Sequence, residues 1–528
     1  MSINERKLSG PKVLMIGLDG CTFDLLLPWI ESGQLPILTD IIKNGSYGTM
    51  KSTIPSLTAP AWTSLVTGVN PGKHGIFDFT TSTGRVFNAR DVKAPKLWSI
   101  LSHYGLRSCV INVPLTYPPE SIDGVIVSGF LTPHGRTDYV SPPVVMDLLR
   151  KHGYMIDAPI ILDVPSYDEK KLLAKRPALL KQEYETAEKR FETALDLMES
   201  NLWDFFFIIF KETDDLQHFF WDRRDILLEF YKKLDEYIGA LRDTFVQNWK
   251  EDDVYVIVVS DHGFGPGKYI PFNLSKWIVQ NFGHSLRITR LQRILNELAE
   301  LFLGRSIMGY TVAHQVIRAY NFVYSTRVGH RLLDHKKSGK PPIRIEPFGL
   351  FIDHALFSSR DEYESFRSLL ITSLPNIQLR SKKIFDKVWR REEIYKGPYI
   401  DGFPDLVFTT SQEFLVVGDH RFSGAAWLQS IGSLPGAHLN CPNAIIIISG
   451  NDVKTGRLEA SIYDVVPTVL NIFGIPTGSE FDGTPLLERP VTRAYLGMSP
   501  EQHENLPEAF TAEENAQIVE KLRRLGYT

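Results

Sequence analysis

VLMIGLDG, residues 13–20, is a short unbroken apolar run that ends in polar residues, with Asp19 set between Leu18 and Gly20. Three further runs share that shape: FFFIIFKETDD (205–215), VYVIVVSDHG (254–263) and AIIIISGND (444–452). Continuous rather than alternating apolar character marks strands covered on both faces, as in a parallel sheet between helices. Helical patterns lie between the runs. Leu180, Tyr184, Ala187, Phe191, Leu195 and Met198 recur at steps of three or four over 177–200, and Ile226, Phe230, Leu234, Ile238, Leu241 and Phe245 do the same over 225–245. Strands alternating with helices predict an α/β fold on a doubly wound, mostly parallel sheet. In such sheets ligands bind beyond the carboxyl ends of the strands. Three of the four runs carry a carboxylate there: Asp19, Asp214 and Asp261.

The stretch from about 280 to 430 reads differently. It opens with an amphipathic pattern (Leu291, Ile294, Leu295, Leu298, Leu301, Phe302), passes a KKSGKPP linker at 336–342, and then mixes short strands with helices. The polar face of that first pattern is only modestly basic, so a buried cap helix is the better reading than a membrane-surface element. A final strand at 444–449 and a helix at 463–473 follow. The expected organisation is a core whose first part covers 11–280, an inserted cap or substrate region over 281–434, the closing core strand and helix within 435–490, and a C-terminal tail over 491–528.

Composition narrows the class. Hydrophobic residues make up 43% and charged residues 23% of 528, which excludes disordered and fibrous chains. With 58 Lys+Arg against 62 Asp+Glu the formal charge is −4, so no basic excess exists to hold nucleic acid by its phosphates. Cys21, Cys109 and Cys441 are too few and too scattered for a disulfide framework or a zinc ribbon. The opening MSINERKLSG lacks the apolar core of a signal peptide, and no run approaches the roughly 18 to 20 apolar residues of a spanning helix. A cytoplasmic protein without a membrane span is expected; nothing in the sequence sets its oligomeric state.

Singly, each polar strand end has a plain structural reading. Asp and Gly after a strand make turns, Asp214 suits a helix start, and Gly-rich PGAHLN holds His438 for no evident reason. Together they are more specific. Asp261 and His262 pair two ligand types at one strand end, and Asp214 and His218 fall on one face of a helix, one turn apart. Three Asp and three His would meet at one rim, a donor set that suits zinc, with manganese or another first-row divalent ion as the alternative. Six ligands divide into two three-ligand sites, the arrangement of two-metal phosphoryl-transfer enzymes with ions roughly 4 Å apart. Between Asp19 and Asp214 lies the hydroxyl-rich segment STIPSLTAPAWTSLVTG (52–68), in which Ser56, Thr58, Thr63 and Ser64 are all chemically competent nucleophiles. The same segment reads as a helix N-terminus with Ser or Thr caps and Pro60 in its first turn, which would offer a phosphate seat.

GLDG (17–20), TAPAWTSLVTGVNPGKHGIFDF (58–79), TDDLQH (213–218), SDHGFG (260–265), PGAH (435–438) and YDVVPTVLNIFGIP (463–476) occur in an order that resembles the alkaline phosphatase superfamily, in its type I phosphodiesterase/nucleotide pyrophosphatase branch. YKGPYIDGFPDLVF (395–408) is similar to bacterial and archaeal members. The resemblance implies that Asp19, Asp261 and His262 hold one metal beside the nucleophile, and that Asp214, His218 and His438 hold the other. It also implies that the nucleophile is Thr58, which precedes Thr67-Gly68 by nine residues in a Thr-x-Pro pattern and would itself meet the first metal. Two departures stand out. Ala61 replaces the Asn that donates to a phosphate oxygen in nucleotide pyrophosphatases, and no Arg obviously supplies the clamp of phosphomonoesterases; Lys73, His74 or Arg421 would have to serve. The Thr58-Ala-Pro-Ala-Trp context lacks the sulfatase pattern.

The resulting expectation is a two-metal hydrolase that cleaves phosphodiester or pyrophosphate bonds of small phosphorylated, nucleotide-type substrates through a phosphothreonyl intermediate. The alternatives are a phosphomonoesterase, phosphonate hydrolase or phosphomutase on the same scaffold, or a non-catalytic metal-binding relative.

Overall fold

A computed structural model describes residues 10–81, 83–158, 174–249, 253–275, 277–278, 343–379, 381–418, 434–494, 496 and 508–524. The apolar patterns around 291–302, the linker at 336–342 and Arg421 lie outside the described residues.

Seven strands of the first part of the chain enter one large sheet: β1 (Lys12–Leu18), β2 (Gly45–Lys51), β3 (Ser108–Val113), β4 (Gly124–Ser128), β5 (Val140–Ser141), β6 (Phe205–Phe210) and β7 (Val254–Val259). Its order runs from Gly456–Arg457 through β2, the strand Asn443–Ser449, β7, β1, β6, β3 and β4 to β5, and Ala460–Ser461 also pairs with β2. β1 is central and parallel to both neighbours, with Met15 beside Ile257 on one side and Phe207 on the other. β6, β3 and β4 continue the parallel order. Every residue of β1, β3 and β6 is buried, as uninterrupted apolar runs require when helices cover both faces.

The fourth apolar run departs from the parallel expectation. Asn443–Ser449 pairs antiparallel with both β2 and β7. Its isoleucines report burial on two faces, and burial is indifferent to strand direction.

Helices Arg176–Ser200 and Arg224–Asn248 form where the periodicity predicts them. The closing helix starts as a 3-10 turn, Ile462–Asp464, in which Ser461 caps Tyr463 and Asp464, and becomes α-helical over Val465–Ile472. On one face of the sheet, Val13, Met15, Phe205, Phe207 and Ile257 pack with Trp62, Leu65, Trp98, Val465 and Val469 in a single core. At about 25 cal/mol per Å² this burial is the main favourable term holding the helix with Trp62 to the sheet.

The chain divides into two compact units. The first comprises Met1–Gly267, Tyr395–Asp401 and Ser433–Thr528, and the second Lys268–Ile394 with Gly402–Gly432. In the second, Ile343–Glu346, Gly349–Ile352, Leu406–Thr410 and Phe385–Arg390 make an antiparallel sheet in that order. Helix Arg360–Ser373 lays Phe366 and Leu370 against Leu350, Ile352 and Phe408. In the first, Tyr395 is buried with its hydroxyl on the Ile54 carbonyl, and Tyr399 N donates to Gly72 O. Within the C-terminal stretch, Ala512–Arg524 is a helix with Ile518 and Leu522 buried.

Candidate active site

Parallel strands put their carboxyl ends on one rim, and the candidate ligands collect there. Asp19 follows β1, Asp214 sits two residues into helix Glu212–Phe220 after β6, and Asp261 and His262 follow β7. His438 arrives from the short strand Gly436–Ala437, which pairs with Gly265–Pro266. All six predicted ligands and Thr58 are buried.

Two triads are tight enough to offer ligand atoms within 4.8 Å of one another: Asp19, Asp261 and His262, and Asp214, His262 and His438. His218 belongs to neither compact triad. Its Nε2 is 3.6 Å from Asp214 Oδ2, and its ring lies 5.2 Å from that of His438. His262 stands between the two groups, stacked on His438 at 3.8 Å.

The three histidines share one hydrogen-bonding pattern. His262 Nδ1 meets Gly263 O at 3.0 Å, His218 Nδ1 meets Gly436 O at 3.0 Å, and His438 Nδ1 meets Ser56 O at 3.3 Å. A carbonyl only accepts, so each Nδ1 carries the proton and each Nε2 presents its lone pair to the carboxylates. That arrangement orients imidazoles around metals. Burial lowers His262 and His438 to about 4 and lowers His218 as well, so all three are neutral at pH 7.

The carboxylates are crowded. Burial raises Asp19 well above its ordinary range, and the charges of Asp261 and Asp214 push it further. Burial raises Asp261 too, only partly offset by His262. Asp214 is also buried, yet His218 and Lys211 outweigh burial and hold it low. Asp19 Oδ1 and Asp261 Oδ2 are buried without a hydrogen-bond partner among the described residues. Carboxylate oxygens left bare in a dry cluster, facing neutral imidazole lone pairs, are the donor set a divalent cation satisfies.

Thr58 begins helix Thr58–Thr67, and its Oγ1 lies 3.3 Å from His262 Nε2. The predicted Ser or Thr cap is absent: the capping position is Leu57, whose side chain has nothing to donate or accept, while Pro60 does fall in the first turn. The other candidate hydroxyls are engaged away from the cluster. Ser56 donates to the carbonyls of His438 and Leu439, Thr63 to Ala59 O, and Ser64 pairs with His74 Nε2 at 2.8 Å. Lys73 and His74 are also occupied. Lys73 Nζ sits 2.7 Å from Asp482, and buried His74 accepts from Ile76 N at Nδ1.

The sequence reading passed over several residues that build this rim. Trp62 Nε1 donates to Asp19 Oδ2 at 3.1 Å. Gly20 N donates to Asp261 Oδ1, and Thr213 Oγ1 to Asp19 O. Lys211 is buried, with Nζ 2.6 Å from Asp215 Oδ1 and 3.6 Å from Asp214 Oδ2. Its place at the end of an apolar strand, next to two acids, was the available signal.

A family model described as type I phosphodiesterase / nucleotide pyrophosphatase matches residues 13–423. The chain belongs to that family. The type I phosphodiesterase family includes curated relatives that match in part. Ectonucleotide pyrophosphatase/phosphodiesterase family member 1 of Rattus norvegicus is 23% identical over 282 residues, covering 51% of this chain and 26% of that protein. Its Homo sapiens counterpart is 31% identical over 123 residues, covering 20% and 13%. The matched region thus spans about a quarter or less of those relatives' length. Among solved structures, phosphonoacetate hydrolase from Sinorhizobium meliloti 1021 in complex with phosphonoformate aligns at a TM-score of 0.55 and 17% identity. That alignment covers 87% of this chain and 94% of the other, and it shows a shared fold. No helix of the described residues is long and apolar enough to cross a membrane.

Proposed function

We propose that this family member is a two-metal hydrolase that cleaves phosphodiester or pyrophosphate bonds of small phosphorylated substrates, with Thr58 as nucleophile. The observation that carries the reading is the place of Thr58: a buried hydroxyl at a helix N-terminus, 3.3 Å from His262 Nε2, inside a cluster of three carboxylates and three neutral imidazoles. Asp19, Asp261 and His262, with Thr58 Oγ1, would hold one ion; Asp214, His218 and His438 would hold the other. Zinc suits this donor set best, with manganese as the alternative. Bound divalent ions would supply charge stabilisation to the phosphoryl group and lower the pKa of a coordinated hydroxyl or water.

The chain's own residues do the remainder. Helix Thr58–Thr67 points its positive end at the seat of the phosphoryl group. Thr58 gives up its hydroxyl proton and Oγ bonds to phosphorus as the bond to the leaving oxygen breaks, that oxygen taking up a proton from solvent. Water then cleaves the phosphothreonyl ester, which restores Thr58 and releases the phosphorylated product. Burial of the rim strengthens each electrostatic contact made there.

Preference for diesters over monoesters follows from charge. A monoester brings one more anionic oxygen and needs extra donors. Lys211, a cation 3.6 Å from Asp214, is already held by Asp215 and Asp214, and Ala61 offers no donor. We also read the protein as cytoplasmic, because Cys21, Cys109 and Cys441 are too few and too scattered for the disulfide framework of a secreted domain.

The test combines Thr58→Ala with matched nitrophenyl mono- and diesters. Turnover should vanish in the variant while metal content stays near two per chain, and wild-type kcat/KM should favour the diester. A near-normal rate in Thr58→Ala removes the nucleophile assignment. A tenfold monoester preference, about 1.4 kcal/mol, moves the protein to the monoesterase alternative.

A further inference from the structure

One helix carries both the candidate nucleophile and a residue that grips a candidate metal ligand. Trp62 lies four residues after Thr58, one helical turn along, so both face the same side of helix Thr58–Thr67. Its indole N–H donates to Asp19 Oδ2 at 3.1 Å, and both residues are fully buried. The other oxygen, Asp19 Oδ1, has no hydrogen-bond partner among the described residues and lies 3.7 Å from His262 Nε2. The carboxylate is therefore divided: one oxygen tied to the helix, the other bare and turned to the imidazole.

The ring is held so that the N–H cannot drift. Trp62 packs on Phe207 with centroids 6.2 Å apart at 50°. A Cβ added at Gly17 would stand 2.7 Å from Trp62 Cη2, so the first glycine of GLDG is what makes room for the indole. The Asp19 backbone is fixed separately, through Asp19 N to Phe210 O and Thr213 Oγ1 to Asp19 O. Those contacts place the residue without orienting its carboxylate.

We propose that Trp62 is a positioning residue that sets the Asp19 carboxylate for its metal and ties that ligand rigidly to the nucleophile four residues away. This rests on the metal reading of Asp19, Asp261 and His262 given above. Trp62 touches neither substrate nor ion; it acts through Asp19. A tryptophan serving only to fill the core would need its rings and not its N–H. The indole also occupies Oδ2, so Asp19 would offer a divalent ion chiefly its bare Oδ1, since an oxygen that already accepts an N–H bond has less lone-pair density to share.

The decisive measurement is a zinc titration of chelator-treated protein against a chromophoric competitor, which resolves two affinities in wild type. Asp261→Ala marks the step belonging to the Asp19 site. Two variants are compared: Trp62→Phe, and Trp62 replaced by 3-benzothienylalanine, which keeps the fused rings and has sulfur in place of N–H. The benzothienyl protein retains the packing volume, so it folds even if Trp62→Phe does not. Expected is a tenfold or larger loss of affinity at the step marked by Asp261→Ala, with the other step within threefold of wild type. Unchanged affinities in the benzothienyl protein would overturn the proposal, and so would equal weakening of both steps, which is what general core damage produces. A wild-type protein that takes up no divalent ion would instead remove the metal reading itself, and this inference with it.

Discussion

Replacing Lys211 with methionine should destabilise the chelator-treated protein by about 3 to 5 kcal/mol at pH 8, the usual cost of removing one partner from a buried ion pair. Methionine keeps most of the aliphatic stem, so the loss is that of the ammonium. That group is buried between Asp215 Oδ1 at 2.6 Å and Asp214 Oδ2 at 3.6 Å, with the Phe130 ring 4.6 Å away. Asp215 is already under strain: burial first, then Asp214, raise its carboxyl from 3.8 to about 6 even with Lys211 present. At 1.36 kcal/mol per pKa unit, that rise corresponds to about 3 kcal/mol. Without the ammonium the carboxyl climbs further. A group whose folded pKa is raised contributes stability that is full at low pH and lost as pH rises through the folded value. The deficit of Lys211→Met should therefore be small at pH 5, where Asp215 can take up a proton, and widest at pH 8. Urea unfolding followed by the fluorescence of Trp62, Trp98 and Trp203, all buried in the first unit, measures it at both pH values. Saturating zinc should shrink the deficit, because Asp214 regains an opposite charge. A variant whose midpoint matches wild type at pH 8 without metal would refute this account of the buried charges.

Three further outcomes are expected. His262 and His438 are lowered from 6.5 to about 4, so their stabilising contribution is present above pH 6.5 and is lost as pH falls toward 4. The metal-stripped protein should lose about 2 kcal/mol per histidine between pH 7 and pH 5, and His438→Gln should flatten that dependence in denaturant midpoints taken at the two pH values. Gly17→Ala should cost about 1 to 3 kcal/mol by overpacking, because the new methyl meets Trp62 and Ile209 at 2.7 Å; calorimetry shows it as a lower Tm. Zinc at a thousand times its Kd should stabilise the protein by about 4 kcal/mol per site, and a Tm indifferent to chelator would contradict the metal reading.

The parts of this molecule that were legible in sequence are those governed by periodicity and by chain order. The four apolar runs became strands because their burial on two faces forbids polar interruptions, and the acids that end three of them reached one rim because parallel strands share a direction. Strand direction is not encoded in composition: the expected sheet is mostly parallel, as observed, but nothing in the sequence marks Asn443–Ser449 as a strand that runs antiparallel to its neighbours. Among the hydroxyls of 52–68, composition made four equivalent and only the family resemblance singled out Thr58; in the fold Ser56, Thr63 and Ser64 are engaged by carbonyls and by His74, while Thr58 lies beside His262. Trp62 was invisible beside Asp19 because an indole in a helix is ordinary until its partner across the fold is known, and Lys211 carried only the weak signal of a lysine at a strand end next to acids. The division between His262 and His218 was equally hidden, since ligand distances depend on side-chain direction rather than spacing.

The strand Asn443–Ser449 lies between β2 and β7, and His438 comes five residues before its start. During synthesis both arrive late. His262 leaves the ribosome 176 residues before His438, an interval of about 10 to 35 seconds at common elongation rates. Throughout that interval β7 presents an open hydrogen-bonding edge, β2 has none of its ladder partners, which all lie beyond residue 442, and the rim lacks one of its imidazoles. Unpaired edges of that kind recruit other chains. A nascent molecule is therefore most prone to aggregate while the second unit is being made, and a stall or truncation between 263 and 437 should produce an insoluble product rather than a partly active one.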